Sequence, residues 1–173
     1  NHINFFYAFN YVNLVLLIHL IKHGVKAKKI AIASDHAGFN LKEKIISYLV
    51  KNSIEIKDIG NHTYDESDDY PDFGHPLAIA VANGECDLGI SICGSGNGIN
   101  MTVNKHQAIR SAICWNEEIA RLARKHNDAN ICALPARFIN ESEAFLIIRE
   151  FINTDFDGGR HKRRIDKIPL KVY

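Results

Sequence analysis

From Lys29 onward, apolar runs of four to seven residues alternate with stretches of helical spacing, and that alternation leaves few folds open. Lys29–Ser34 is a short apolar run ending in small polar residues, the pattern of a strand buried on both faces. Leu41, Ile45, Ile46, Leu49 and Val50 then recur at helical spacing, which predicts a helix over Leu41–Val50. Ile54–Ile59 alternates as a strand and stops at Gly60, and a polar, acidic loop from Asn61 to Asp72 leads to a helix over Pro76–Ala82. A third strand, Asp87–Ile92, runs into a glycine-rich turn and a short helix reaching Asn104. Ala108–Cys114 reads as a fourth strand, and Asn116 is a good N-cap for a helix ending near His126. Ile131–Leu134 is the fifth strand, Glu141–Ile152 is helical, and Arg160–Lys167 forms a last short helix. Strands separated by helices build βαβ units and a parallel sheet covered on both faces. The 173 residues therefore predict a single doubly wound α/β domain, with no internal repeat and no low-complexity linker.

Charge narrows the function. Twenty-one basic residues against 20 acidic ones leave a net charge of +1, which excludes general attraction to nucleic acid or to an anionic membrane. A ligand must be held by a few placed groups. The four cysteines, Cys86, Cys93, Cys114 and Cys132, form no CxxC pair and lie in or beside apolar runs, as expected of reduced thiols in a cytoplasmic protein. No HxH or HExxH spacing occurs, so metal catalysis is not expected.

Residues 1–27 stand apart. Phe5 to Ile21 is the most apolar stretch, 17 residues interrupted by Asn10, Asn13 and His19, short for crossing a bilayer of about 30 Å. A secretory signal carries its positive charge ahead of the apolar run, whereas here the first basic residue, Lys22, follows it. Three readings remain for this segment: a dispensable extension outside the catalytic domain, a docking helix, or a membrane anchor. In the last case the positive-inside rule keeps the rest of the chain in the cytoplasm.

Sheets of this kind bind ligands at the carboxyl ends of their strands. Three candidate positions stand out: Ser34–Gly38, Cys93–Gly98, and His126–Asn127 just before the fifth strand. Cys93-Gly-Ser-Gly-Asn-Gly98 places three glycines in five positions ahead of a helix, where backbone N–H groups can form a nest for an anion. It is neither a P-loop nor a GxGxxG turn, which argues against a dinucleotide. In that setting the Cys93 thiol can serve as nucleophile or proton acceptor, while Cys86, Cys114 and Cys132 are expected to be buried apolar filler. Arg137 follows the fifth strand, and on a helix Arg160 and Arg164 stand four residues apart on one face, within reach of one phosphate. Thiol, anion nest and arginines together describe an enzyme for a small phosphorylated substrate.

The segments ASDHAG (33–38), DYPDFG (69–74), CGSGNGI (93–99), RKHNDANICAL (124–134) and GGRHKRRIDKI (158–168) resemble the ribose-5-phosphate isomerase B family, which also contains the galactose-6-phosphate isomerase subunits. The resemblance runs from Lys28 to Ile168. It implies a Rossmann-like fold and an aldose–ketose isomerase that needs no metal or cofactor. It also implies a homodimer, or a dimer of dimers, with its sites at the subunit interface. By the same resemblance Cys93 is the general base, since the alternative glutamate of other members falls at Ile99. Ser95 and the amides of Gly94, Gly96, Asn97 and Gly98 would stabilise the enediolate. Asp35 and His36 would contact sugar hydroxyls and the ring oxygen. His126 would assist ring opening from the neighbouring subunit, with Asn127 holding the substrate beside it. Arg137, Arg160, His161 and Arg164 would grip the phosphate, and Tyr70, placed in the acidic loop, would line the sugar pocket. Pro135 stands where the family commonly has glycine, fixing φ and removing a backbone donor just before Arg137.

Three functions remain open on these grounds: isomerisation of ribose 5-phosphate and ribulose 5-phosphate, the same chemistry on a hexose 6-phosphate, or non-catalytic sensing of a sugar phosphate. Cys93 speaks against the last. His62, His75 and His106 fall outside the matched motifs and are expected at the surface or in loops, and His2, His19 and His23 belong to residues 1–27.

Overall fold

The computed structural model describes residues 28–170, so the expectations for residues 1–27 lie outside the described residues, as does most of the tail from 169 to 173. Five strands, β1 (Lys29–Ser34), β2 (Glu55–Gly60), β3 (Leu88–Cys93), β4 (Ser111–Ile113) and β5 (Ile131–Pro135), form one sheet in the order β2-β1-β3-β5-β4. Every pairing is parallel. Six helices connect and cover them: α1 (Phe39–Lys51), α2 (Tyr70–Ala82), α3 (Asn97–Val103), α4 (Glu117–Asn127), α5 (Glu141–Asn153) and α6 (Gly159–Ile165). This is the expected doubly wound, Rossmann-like α/β arrangement.

The period-two alternation of β1 sorts the core. Ile30 and Ile32 join Ile90, Ile92, Cys132 and Leu134 in a cluster with Ile45 and Leu49 of α1 and Ile147 and Phe151 of α5. Ala31 and Ala33 face the other side, against Leu77, Ala78 and Val81 of α2. Both sheet faces are therefore dry, and the apolar strands need no polar side. Helix starts follow capping chemistry: Asn116 accepts from the Ile119 amide at 2.9 Å, and Asn140 and Glu143 form a reciprocal capping box before α5.

Three of the boundaries that differ from expectation bear on the site. Helix α2 begins at Tyr70, six residues before Pro76, because Pro71 occupies the first turn, where its missing N–H costs nothing, and Pro76 lies inside the helix. Tyr70 is thus a helix residue rather than a loop residue. β4 is only three residues long, since its partner β5 pairs with it from Ser111 to Ile113 alone. β5 extends through Pro135, opposite Cys93. The Ala136 amide donates to the Cys93 carbonyl at 3.0 Å, so the N position of Pro135 faces the side where β4 has already ended. The last rung between β4 and β5 is the Cys114 amide donating to the Ala133 carbonyl at 2.9 Å, and Pro135, having no N–H, cannot extend it.

The chain passes from β1 outward to β2, then returns to β3 and continues to the other side. The crevice beyond the carboxyl ends of β1 and β3 is the topological switch point, where such sheets hold ligands.

Candidate active site

Cys93 is the last residue of β3 and is 4% exposed. The turn that follows is shaped by its glycines. Gly96 has φ of 75°, a left-handed conformation that suits glycine, and it caps α3. The Ser95 hydroxyl accepts from the Asn97 amide at 3.3 Å and from Asn97 Nδ2 at 3.4 Å, so the side chains of the turn brace it. Ile99, where a glutamate base would stand, is fully buried, its Cγ1 3.3 Å from where a methyl on Gly74 of α2 would lie.

Arg137 reaches this turn from the end of β5. Its amide donates to the Gly94 carbonyl at 3.0 Å, and its guanidinium carbon lies 3.3 Å from the position a Cβ would take on Gly94. Tyr70, on the first turn of α2, closes the opposite flank over Gly98. A recess of about 350 Å3 opens beside the turn, lined by Ser95, Asn97, Ile113, Trp115, Pro135 and Phe138.

The end of β1 completes the group. The Asp35 amide donates to the Ile92 carbonyl at 3.3 Å, which sets Asp35 and His36 next to Cys93. Burial pushes the Asp35 carboxyl above its ordinary value, against the Gly38 amide that donates to it at 3.1 Å. His36 is pushed up by its hydrogen bond to Asp68, with Nδ1 and Oδ1 2.8 Å apart. Asp68 and its partner Asn61 escaped sequence reasoning. Four acidic residues crowd Asp65–Asp69, and nothing in their spacing singles out one of them.

His126, Asn127, Arg160, His161 and Arg164 are not part of this group. His126 and Asn127 end α4 and precede β5, so they sit at the amino edge of the sheet and not at a strand's carboxyl end. The sequence expectation that grouped them with the other two strand ends is corrected by the chain direction: in a parallel sheet a helix returns to the edge where strands begin. Arg110, just ahead of β4, donates to the Asn127 carbonyl at 2.9 Å, which marks that edge. His161 of α6 stacks on His126 with ring centroids 4.3 Å apart and planes 3° from parallel. Desolvation pushes His161 below its ordinary value, and the charges of His126, Arg160 and Arg164 act in the same direction. Arg160 and Arg164 give this cluster its positive charge and suit it to an anion. The four residue steps of β5 between Ile131 and Pro135 separate the two groups by about 13 Å along the strand.

All four cysteines are free and buried. His62 is exposed in the β2–α2 loop, and His75 and His106 face each other on the surface, their nitrogens 2.9 Å apart. Among the described residues no three His, Cys, Asp or Glu side chains gather where they could hold a metal ion, and no helix is long and apolar enough to cross a membrane.

This chain is similar to known proteins along most of its length. The model of the Ribose/Galactose Isomerase family matches residues 30–168. The ribose-5-phosphate isomerase B of Escherichia coli K12 is 40% identical over 141 residues, covering 82% of this chain and 94% of that protein. A probable ribose-5-phosphate isomerase B of Mycoplasma genitalium is 44% identical over 140 residues, covering 80% of this chain and 92% of the relative. The crystal structure of ribose-5-phosphate isomerase B from Mycoplasma genitalium with bound ribulose-5-phosphate superposes with a TM-score of 0.78 at 44% identity, over 81% of this chain and 93% of that one. A Thermotoga maritima ribose 5-phosphate isomerase superposes with a TM-score of 0.81 at 47% identity, over 83% and 99%.

Proposed function

The chain belongs to the ribose/galactose isomerase family, and from that membership we propose that it is an aldose–ketose isomerase interconverting D-ribose 5-phosphate and D-ribulose 5-phosphate, with Cys93 as the general base. The observation that carries this reading is the convergence of Cys93, the Gly94–Gly98 amides and Arg137 at the switch point of the sheet. In the open-chain aldose the Cys93 thiolate takes the proton from C2 and the C1 carbonyl oxygen becomes an enediolate oxygen; the C2 hydroxyl proton passes to that oxygen, and the thiol returns its proton to C1 as the C2 carbonyl forms, giving the ketose and the thiolate again. No net oxidation occurs and no cofactor is consumed. The charge that develops on oxygen would be met by the amides of Gly94, Gly96, Asn97 and Gly98 and by the Ser95 hydroxyl, fixed dipoles that need no rearrangement as the charge appears. Asp35, His36 and Tyr70 would hold the sugar.

The second half of the site would come from another copy of the chain. His126 and Asn127 stand at the opposite edge of the sheet from Cys93, too far to serve the same bound sugar. A homodimer, or a dimer of dimers, would bring His126 of one protomer to the Cys93 turn of the other. There His126 would open the ring, Asn127 would hold the substrate, and Arg160, His161 and Arg164 would grip the phosphate together with Arg137. The catalytic domain is then residues 28–168, with residues 1–27 an extension outside it and the chain cytoplasmic. A coupled assay comparing ribose 5-phosphate with allose and galactose 6-phosphates tests the reading. Preference for a hexose phosphate would move the chain to the hexose branch, and absence of turnover with all three would leave a sugar-phosphate sensor.

A further inference from the structure

Asp68 contributes both of its oxygens to a set of hydrogen bonds that ends at His36. Its Oδ1 accepts from the His36 amide at 2.9 Å and lies 2.8 Å from His36 Nδ1. Its Oδ2 accepts from Asn61 Nδ2 at 2.7 Å. Asn61 is 5% exposed and is itself held on two sides. Its amide donates to the Ser34 carbonyl at 2.9 Å, and its Oδ1 accepts from the Ser34 hydroxyl at 3.4 Å. Three segments distant in sequence meet here: the end of β1, the residue after β2, and the loop before α2. The Asp68 side chain is 7% exposed against 27% for His36, so the acceptor is enclosed while the imidazole still meets solvent.

We propose that Asp68, held by Asn61, is a positioning residue that fixes His36 as the Nδ1–H tautomer and leaves Nε2 as the imidazole nitrogen offered to the sugar. The inference rests on the reading that His36 contacts the substrate. Its chemistry is that of any carboxylate–imidazole pair. An ionised carboxylate only accepts, so the proton of the Nδ1 contact belongs to His36. Neutral His36 then has a lone pair at Nε2, able to accept from a sugar hydroxyl, and protonated His36 has a donor at the same place. An ordinary exposed ion pair would contribute little, but this carboxylate takes three N–H donors in a mostly enclosed setting.

The charges facing His36 come from three elements. Asp68 and Asp65 lie on the loop before α2, Asp35 on the end of β1, and Arg137 on the end of β5. The three carboxylates favour the imidazolium and Arg137 opposes it. The hydrogen bond to Asp68 is the largest influence, so the protonated form of His36 persists to higher pH than in a free imidazole. That moves the exchange between acceptor and donor at Nε2 to higher pH.

Two-bond 1H–15N NMR of the full chain carrying 15N-histidine reads tautomer and titration together, with the His36 signal assigned by its loss in His36→Gln. The wild-type protein should show the Nδ1–H tautomer and a midpoint above about 6.5. Asp68→Ala should lower the midpoint, shift the population toward Nε2–H, and reduce kcat for ribose 5-phosphate by about tenfold or more, with KM changed far less. Asp68→Asn keeps an acceptor without the charge, and should hold the Nδ1–H tautomer and recover part of kcat while still lowering the midpoint. A wild-type Nε2–H tautomer would overturn the proposal. So would an Asp68→Ala protein with unchanged kcat, or one in which Ala and Asn variants lose equal activity while the His36 signal stays wild-type. Should the wild-type chain turn over no sugar phosphate, the isomerase reading falls, and the NMR arms still decide the tautomer.

Discussion

The Tyr70 ring covers Gly98 so closely that a methyl group on Gly98 would lie 2.6 Å from Tyr70 Cζ. The first turn of α2 and the first turn of α3 therefore meet through one aromatic ring and one missing side chain. That contact places the phenol over the end of the glycine turn, where the sugar would be bound.

Gly98→Ala should push Tyr70 off the turn without unfolding the protein, because Tyr70 is 38% exposed and its ring can swing outward. The stability change should be under about 1 kcal/mol. We expect a several-fold rise in KM for ribose 5-phosphate. The double variant Gly98→Ala/Tyr70→Ala should bind no worse than either single variant, since both remove the same contact. Additive losses in steady-state kinetics would show that Gly98 acts independently of Tyr70.

Cys93→Ala should lower kcat by about 10²–10⁴ and leave substrate affinity near wild type, because arginine side chains and not the thiol would hold the phosphate. Calorimetric titration with ribose 5-phosphate beside a coupled assay separates the two effects. Near-normal kcat would require another proton acceptor.

Arg137 and the Arg160–Arg164 pair belong to opposite edges of one protomer. Arg137→Ala and Arg160→Ala should each raise KM far more than they lower kcat. If one site draws Arg137 from one chain and Arg160 from the other, random mixing restores about a quarter of the sites, since each mixed dimer holds one intact and one doubly damaged site. The measurement is activity after co-refolding the two variants. No recovery would mean that the arginines serve sites within a single chain.

His36 makes stability depend on pH in a defined direction. Its folded value is raised, chiefly by Asp68, so its contribution is fully present below the unfolded value of about 6.5 and is lost as pH rises through the folded one. The difference in Tm between wild type and His36→Gln should therefore be larger at pH 5.5 than at pH 8.5, by calorimetry on both proteins. An equal difference at both values would mean that the pair with Asp68 does not form in solution.

Lys42 is fully buried, yet its ammonium bonds Asp58 at 2.8 Å and Glu43 at 2.6 Å. Asp58 in turn accepts from the Gly60 amide at 3.0 Å, just ahead of Asn61. Asp58→Ala should cost about 3 kcal/mol in denaturant unfolding, the low end for breaking a buried pair because Glu43 remains. A loss below about 1 kcal/mol would show that Glu43 alone satisfies Lys42.

Part of the site was legible because the backbone repeats. A strand ending in Cys93, three glycines, and a helix start within one short stretch define a turn whose amides face the sheet's carboxyl edge, wherever the rest of the chain goes. Helix α2 was legible only in part. Pro76 reads as a helix start, and nothing local shows that Pro71 already serves that role.

The alternation of apolar runs and helical spacing by itself determined a parallel, two-faced sheet and put Cys93 at one of its strand ends. It could do so because periodicity is a local property, set by residues two to four positions apart. The partners of His36 and Gly98 were decided by the tertiary structure alone. Asp68 meets His36 across 32 residues, and Tyr70 meets Gly98 through the packing of α2 beside α3. The separation of His126 and the Arg160–Arg164 segment from Cys93 likewise follows from strand direction and order. Contacts of this kind depend on how loops close over a finished sheet, and a linear pattern carries no record of which acidic residue, or which edge, that closure selects.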